Sequence, residues 1–389
     1  MRFTQVYQYN FPTCIRFGAG VIKELPAYCK QHSIQRPLLV TDPTVKELDF
    51  FTSIVKHLQQ TGISVSVFSA IHRNPVKSDV YAGGDMYDAN NCDAVIGIGG
   101  GAAIDVARAI VLRIHHREDL FVYDDLIGGD ELITGKVPPF ITVPTTAGTG
   151  SEVGRSAIIA DDITHQKKIL FSPKLIANIV FADPVLTMEL PPAITAATGM
   201  DALTHNMEAF IAKTPHPICE GIALEGMRMI RFSLEKAVKK PDLESRSNML
   251  LASMMGAIAF QKGLGVVHSL AHPLSSLLDT HHGLANAVNL PYGMRFNASV
   301  VPDAFKRMAL AFELSNPGAD SLVRYLFGLN AALGIPPTQI ASLLQTQNIG
   351  VKTEHIETLA DLAFEDFAHP NNPQPVSRQQ FKQLYLEAL

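Results

Sequence analysis

The sequence predicts an α/β domain of Rossmann-like type followed by an all-α domain. Three observations carry this. Short apolar strands alternate with helical stretches through the first half. Two of those strands end in glycine- or threonine-rich loops. After Asp183-Pro184 the β-branched runs stop, and Ala, Leu and Met recur at helical spacing. The boundary is set at 185, giving domains of 1–185 and 186–389. A chain of 389 residues suits two domains, and 47% hydrophobic against 18% charged residues suits a large core.

The N-terminus, MRFTQVYQYNFPTC, lacks the apolar core of a signal peptide. PLLVTD (37–42) is the first clear buried strand, and the helical stretch TVKELDFFTSIVKHLQQTG follows. SVSVF (64–68), DAVIGIGGG (93–101), FITVPTT (140–146) and IVFADP (179–184) are the further strands, with AIDVARAIVLRIHH a helix between them. His115 and His116 close that helix beside Arg113 and Arg117, which reads as a solvated C-terminal turn. In the second half PPAITAATGMDALTHNMEAFIAK, CEGIALEGMRMIRFSLEKAVKK and ESRSNMLLASMMGAIAF are the clearest helices.

Charge and cysteine usage narrow the classes. The net charge is -5 with no dense Lys/Arg run, so neither nucleic acid nor an anionic membrane is an expected partner. No apolar run approaches the roughly 18 residues of a membrane span. Cys14, Cys29, Cys92 and Cys219 are scattered and form no CxxC, as expected of reduced thiols in the cytoplasm.

Two loops suit a phosphate-bearing ligand. Gly99, Gly100 and Gly101 allow close backbone approach, and the helix behind them offers free N–H groups to an anion. The same three glycines also fit an ordinary tight turn. VPTTAGTGSE (143–152) adds the hydroxyls of Thr145, Thr146, Thr149 and Ser151 at a strand's C-terminal end, where ligands bind in open α/β sheets. Read blandly, it is a capped loop-to-helix junction. Asp42 ends the first strand, placed either to accept from ribose hydroxyls or to form a turn before Pro43.

The helical half carries D-x-x-x-H at Asp201 and His205, then H-x-x-x-H-P at His268 and His272, then H-G at His282. One carboxylate and three imidazoles suit Fe²⁺ or Zn²⁺ better than Mg²⁺ or Ca²⁺. The chain has 14 histidines, so clustering alone proves little.

GGGAAID, PTTAGTGSE, DALTHNMEAF, GLGVVHSLAHPL and HHGLANAVNLPY, in that order across nearly the whole chain, resemble the iron-containing alcohol dehydrogenases. The resemblance implies a Rossmann-like domain and an all-helical domain with the active site in the cleft between, an architecture shared with dehydroquinate synthase. It implies Asp201, His205, His268 and His282 as metal ligands, with His281 the runner-up to His282. It implies His272 as a histidine near the nicotinamide that is not a ligand, suited to relaying a proton or to supporting a ligand by hydrogen bonding. Asp42 matches the acidic residue of NAD preference, and Gly100, Gly101, Ala102, Thr145, Thr146, Thr149 and Ser151 match cofactor positions, with Gly99 beside them. Asn74 and Lys167 match two further cofactor contacts in less distinctive segments. Expected from the family are NAD, Fe²⁺ with Zn²⁺ as alternative, a small primary alcohol, aldehyde or hydroxy acid as substrate, and a homodimer or larger homo-oligomer.

The chain departs from the family pattern in two places. Ala102 stands where GGGS has Ser, removing a hydroxyl worth about 0.5–1.5 kcal/mol. Arg155 follows the GTGSEV loop, where a guanidinium suits a substrate carboxylate or a structural contact. Phe260 suits either the substrate pocket or the core. Two other readings compete. A dehydroquinate-synthase-type lyase needs a basic substrate site, and few basic residues flank the ligand motifs. A non-catalytic metal- or nucleotide-binding protein has no use for both cofactor loops and a full ligand set.

Overall fold

Residues 13–164, 166–335 and 353–388 are described by a computed structural model. They divide into two compact units. One comprises Pro12–Thr146 with Gly150–Glu189; the other is Leu190–Leu389 with Ala147–Thr149.

The first unit is built on a six-stranded sheet of order β1-β8-β5-β4-β2-β3. Its strands are β1 (Cys14–Phe17), β2 (Pro37–Val40), β3 (Ser66–Phe68), β4 (Ala94–Gly99), β5 (Phe140–Pro144) and β8 (Ile179–Ala182), all parallel to their neighbours. Helices α1 (Leu25–Gln31), α2 (Pro43–Lys46), α3 (Asp49–Gln60), α4 (Lys77–Ala89) and α5 (Gly101–His115) supply the connections. Every residue of β2, β4, β5 and β8 is buried, which is why these strands read as unbroken apolar runs. Alternate side chains feed two cores: Leu38, Val40 and Val95 join one, and Leu39, Ile96 and Ile98 the other. From β2 the chain steps outward to β3, then returns to β4 on the opposite side of β2, so the order reverses between β2 and β4. Ligands bind at such a switch point, at the C-terminal ends of the strands.

Two features of this unit lie outside the sequence expectations. β6 (Ser156–Ala160) and β7 (Lys167–Phe171) form a separate antiparallel pair. His116 is not part of a solvated turn. It is buried, with Nδ1 at 3.0 Å from Leu112 O and Nε2 accepting from Thr134 N at 2.8 Å. Burial holds its pKa below the ordinary value.

The second unit is helical: α6 (Pro192–Ile211), α7 (Pro217–Lys239), α8 (Leu243–Ala259), α9 (Val266–Leu278), α10 (His282–Asn297), α11 (Pro302–Ala311), α12 (Ala319–Ala332), then Thr353–Phe364 and Arg378–Ala388. α6 is buried along nearly its whole length and packs against α7, α8 and α10. Among the described residues, no single helix is long and apolar enough to cross a membrane.

Candidate metal centre and nucleotide-binding edge

In the helical unit, Asp201 and His205 lie one turn apart on α6, His268 and His272 one turn apart on α9, and His282 opens α10. Gly283 permits this junction: a Cβ there would lie 2.3 Å from Ala197 O and 3.3 Å from the Asp201 Cβ. Any side chain would push α10 off α6 and draw His282 away from Asp201.

The side chains converge. Asp201 Oδ1 is 3.9 Å from His205 Nε2, 4.0 Å from His268 Nε2 and 3.5 Å from His282 Nε2. The ligand atoms of Asp201, His205 and His268 all lie within 4.8 Å of one another. Four ligands at about 2.1 Å around one tetrahedral ion stand about 3.4 Å apart, so the set fits a single small divalent cation. Asp201, His205 and His268 are buried, whereas the His282 side chain is 29% exposed.

Burial draws the His205 pKa down to about 4, which keeps the imidazole neutral and its lone pair available at neutral pH. For His268 burial acts in the same direction, but the hydrogen bond and charge of Glu208 outweigh it and the net shift is upward. Glu208 belongs to this candidate centre and was missed in the sequence. Its carboxylate lies 2.5 Å from His268 Nδ1 and accepts from Val267 N and His268 N, at 2.7 and 3.3 Å. It therefore caps α9 from another helix and turns His268 Nε2 toward Asp201. Glu208 follows His205 by three positions on α6, a spacing that places both on one side of the helix; that was the available signal.

Asp366 was also missed, and no local pattern marks it. It lies 2.7 Å from His272 Nδ1 and accepts from Ser269 Oγ and, at 2.9 Å, from Ala368 N. Burial pushes its pKa up, but His272, Ser269 and Ala368 N bring it to about 2. The His272 ring stacks on His282 at 5.3 Å and on Phe367 at 5.2 Å. Phe260 packs its ring 5.1 Å from that of His205.

In the α/β unit Asp42, Gly99, Gly100, Thr145 and Thr146 meet at the switch point. Asp42 caps α2, its Oδ1 accepting from Thr44 N and Val45 N at 2.9 Å. Its Oδ2 would lie 3.5 Å from a Cβ at Gly99, whose φ of +152° favours glycine. Thr145 N donates to Gly99 O at 3.0 Å, and Thr146 Oγ1 would lie 3.1 Å from a Cβ on Gly100. Gly100 caps α5, and Gly101 and Ala102 form its first turn. Asn74 and Lys167 are brought near each other: Lys167 pairs with Ala160, whose N–H donates to Pro75 O at 2.8 Å. Thr149 falls in the segment grouped with the helical unit. Ser151 is buried, and its hydroxyl is bonded to Asp105 and to Arg108 Nη1. The Arg155 guanidinium stacks 5.2 Å from the Phe171 ring centre, a contact that accounts for it without an anion.

Two family models cover this chain: iron-containing alcohol dehydrogenase over residues 12–184, and the C-terminal region of the Fe-containing alcohol dehydrogenase family over 195–389. The chain belongs to the iron-containing alcohol dehydrogenase family. Membership makes it an iron-containing, NAD-dependent alcohol dehydrogenase and sets aside the lyase and non-catalytic readings. It is 36% identical to a 4-hydroxybutyrate dehydrogenase of Cupriavidus necator, over 97% of this chain and 98% of that protein. It is 32% identical to an NAD-dependent methanol dehydrogenase of Bacillus methanolicus, over 97% and 98%. A crystal structure of 1,3-propanediol oxidoreductase superposes with a TM-score of 0.93 at 31% identity, covering 99% of this chain and 100% of that one.

Proposed function

We propose that Asp201, His205, His268 and His282 hold one Fe²⁺, with Zn²⁺ accepted by the same donors, and that His272 handles the proton of the reaction. The observation that carries the reading is the convergence of three imidazole Nε2 atoms on Asp201 Oδ1. When bound, the ion supplies Lewis acidity, polarising an alcohol or carbonyl oxygen, and NAD exchanges the hydride. Asp201 brings the single negative charge, and Glu208 fixes the tautomer of His268. Asp366 accepts from His272 Nδ1, leaving Nε2 to take up or release a proton.

Gly99, Gly100, Gly101, Ala102, Thr145, Thr146, Thr149 and Ser151, with Asn74 and Lys167, form the NAD-binding set, Ser151 by shaping the loop, since its hydroxyl is held by Asp105 and Arg108. Asp42 Oδ2 accepts from a ribose hydroxyl and disfavours a 2′-phosphate. The substrate is a small primary alcohol, its aldehyde or a hydroxy acid, a range that includes the compounds named for the relatives above. We assign the enzyme to the cytoplasm as a homodimer or larger homo-oligomer, in keeping with its scattered cysteines and family resemblance.

Metal analysis of the purified protein, followed by an NAD-linked screen of alcohols, diols and hydroxy acids, tests the assignment. The expected result is about one Fe²⁺ or Zn²⁺ per chain and NADH formation that stops on chelation. His272→Ala keeps the ion and slows turnover by roughly 10²–10⁴-fold. Loss of the ion from that variant overturns the division of roles.

A further inference from the structure

The Asn286 side chain is explained neither by the ligand set nor by the proton handler. It is fully buried on α10, one turn after His282. Its Nδ2 lies 2.7 Å from Asp201 Oδ1, 3.2 Å from His268 Nε2 and 3.2 Å from His282 Nε2. These acceptors stand on α6, α9 and α10.

A carboxylate oxygen and imidazole lone pairs facing one another repel. When the His268 ring is neutral, as a metal ligand must be, the bond from its Nδ1 to Glu208 leaves Nε2 as an acceptor. A cation removes the repulsion once it is bound. Before that, a hydrogen-bond donor can do so, and the Asn286 amide provides two N–H groups at the convergence point.

We propose that Asn286 is a positioning residue that assembles the metal ligands before the ion arrives. Its two N–H groups are shared among Asp201, His268 and His282, with Asp201 the nearest, so the three helices present their ligand atoms at near-final spacing and binding costs little rearrangement. The contact with Asp201 is the shortest of the three, and it uses an oxygen with lone pairs to spare when a cation is present. This inference rests on the metal assignment proposed above.

The test measures metal affinity on the full-length protein. Wild type, Asn286→Leu and Asn289→Leu are stripped with chelator and titrated with Zn²⁺, and anaerobically with Fe²⁺, against a competing chelator. Circular dichroism and NAD affinity are recorded alongside. Asn286→Leu keeps the amide's volume and removes its donors, and its Kd is expected to rise roughly 10- to 100-fold with fold and NAD affinity unchanged. Asn289 is the control: it is a buried Asn on the same helix whose Nδ2 donates to Ala285 O, and its variant should bind metal like wild type. Should Asn286→Leu fail to fold, Asn286→Ala carries the same expectation. A wild-type Kd in the Asn286 variant, or equal weakening in both, overturns the proposal. Failure of wild type to bind either ion removes the metal assignment itself, and with it the basis of the proposal.

Discussion

In the α/β unit the buried Arg108 guanidinium donates to Ser151 Oγ, Ser151 O, Ser156 O and Leu175 O, and faces Asp105 at 3.4 Å. In the helical unit the buried Asp201 carboxylate faces three imidazoles and one amide donor. The first group is electrically closed: each charge has its opposite and its hydrogen bonds, and it needs nothing from solution. The second is an excess of acceptors around one point, which is how side chains are arranged when a cation completes them. Both groups contain buried charge, so burial does not distinguish structure from function. The balance of donors and acceptors does.

The largest effect that would sharpen this contrast is His268→Ala. The metal content should fall with activity, by roughly 10³-fold or more, because several kcal/mol of transition-state stabilisation are lost with the ion. Full activity in a metal-free preparation of this variant would refute the metal mechanism. Arg108→Met tests the closed group. It strands Asp105 and should cost about 3–5 kcal/mol in denaturant unfolding while leaving metal content intact; a cost below about 1 kcal/mol would show that the network carries little.

Glu152 departs from this balance in the α/β unit, since its Oε1 is buried without a hydrogen bond and burial raises its pKa to about 7 from 4.5. The folded state therefore binds more protons than the unfolded one between those values, and stability falls as pH rises through that window. Glu152→Gln should be more stable than wild type by roughly 3 kcal/mol above pH 7, with the gain vanishing toward pH 4. An equal gain at all pH values would break the titration argument. Glu208→Gln should keep the fold and weaken metal binding roughly 10-fold or more; an unchanged chelator-competition curve would deny the carboxylate its role behind His268. Smallest is Arg155→Ala, expected to cost about 0.5–1 kcal/mol through lost stacking and to leave the 4-hydroxybutyrate to 1-butanol ratio of kcat/KM unchanged. A selective loss on the acid would give Arg155 the anion-binding role instead.

Much of this was legible in the sequence, and the reason is local. β2, β4, β5 and β8 are buried on both faces and leave continuous apolar runs. Asp201 with His205, and His268 with His272, fall in pairs at helical spacing, which a single helix enforces. What escaped depends on distant segments. β1 is an edge strand with a mostly exposed pattern, so CIRF carries no apolar signature. His116 reads as solvated beside Arg117 and Glu118 until Thr134 N reaches its ring. Asp366 contacts His272 from 94 residues downstream, and nothing near either residue announces the other.

That separation orders events during synthesis. Asp201, His205, His268 and His282 leave the ribosome well before Asp366, which holds His272, and Asn372, whose Oδ1 accepts from Val266 N at the start of α9. A nascent chain can thus possess all four proposed ligands and still lack the parts that lock α9 and its second histidine. The final seating of α9 therefore waits on segments 94 to 106 positions further along the chain.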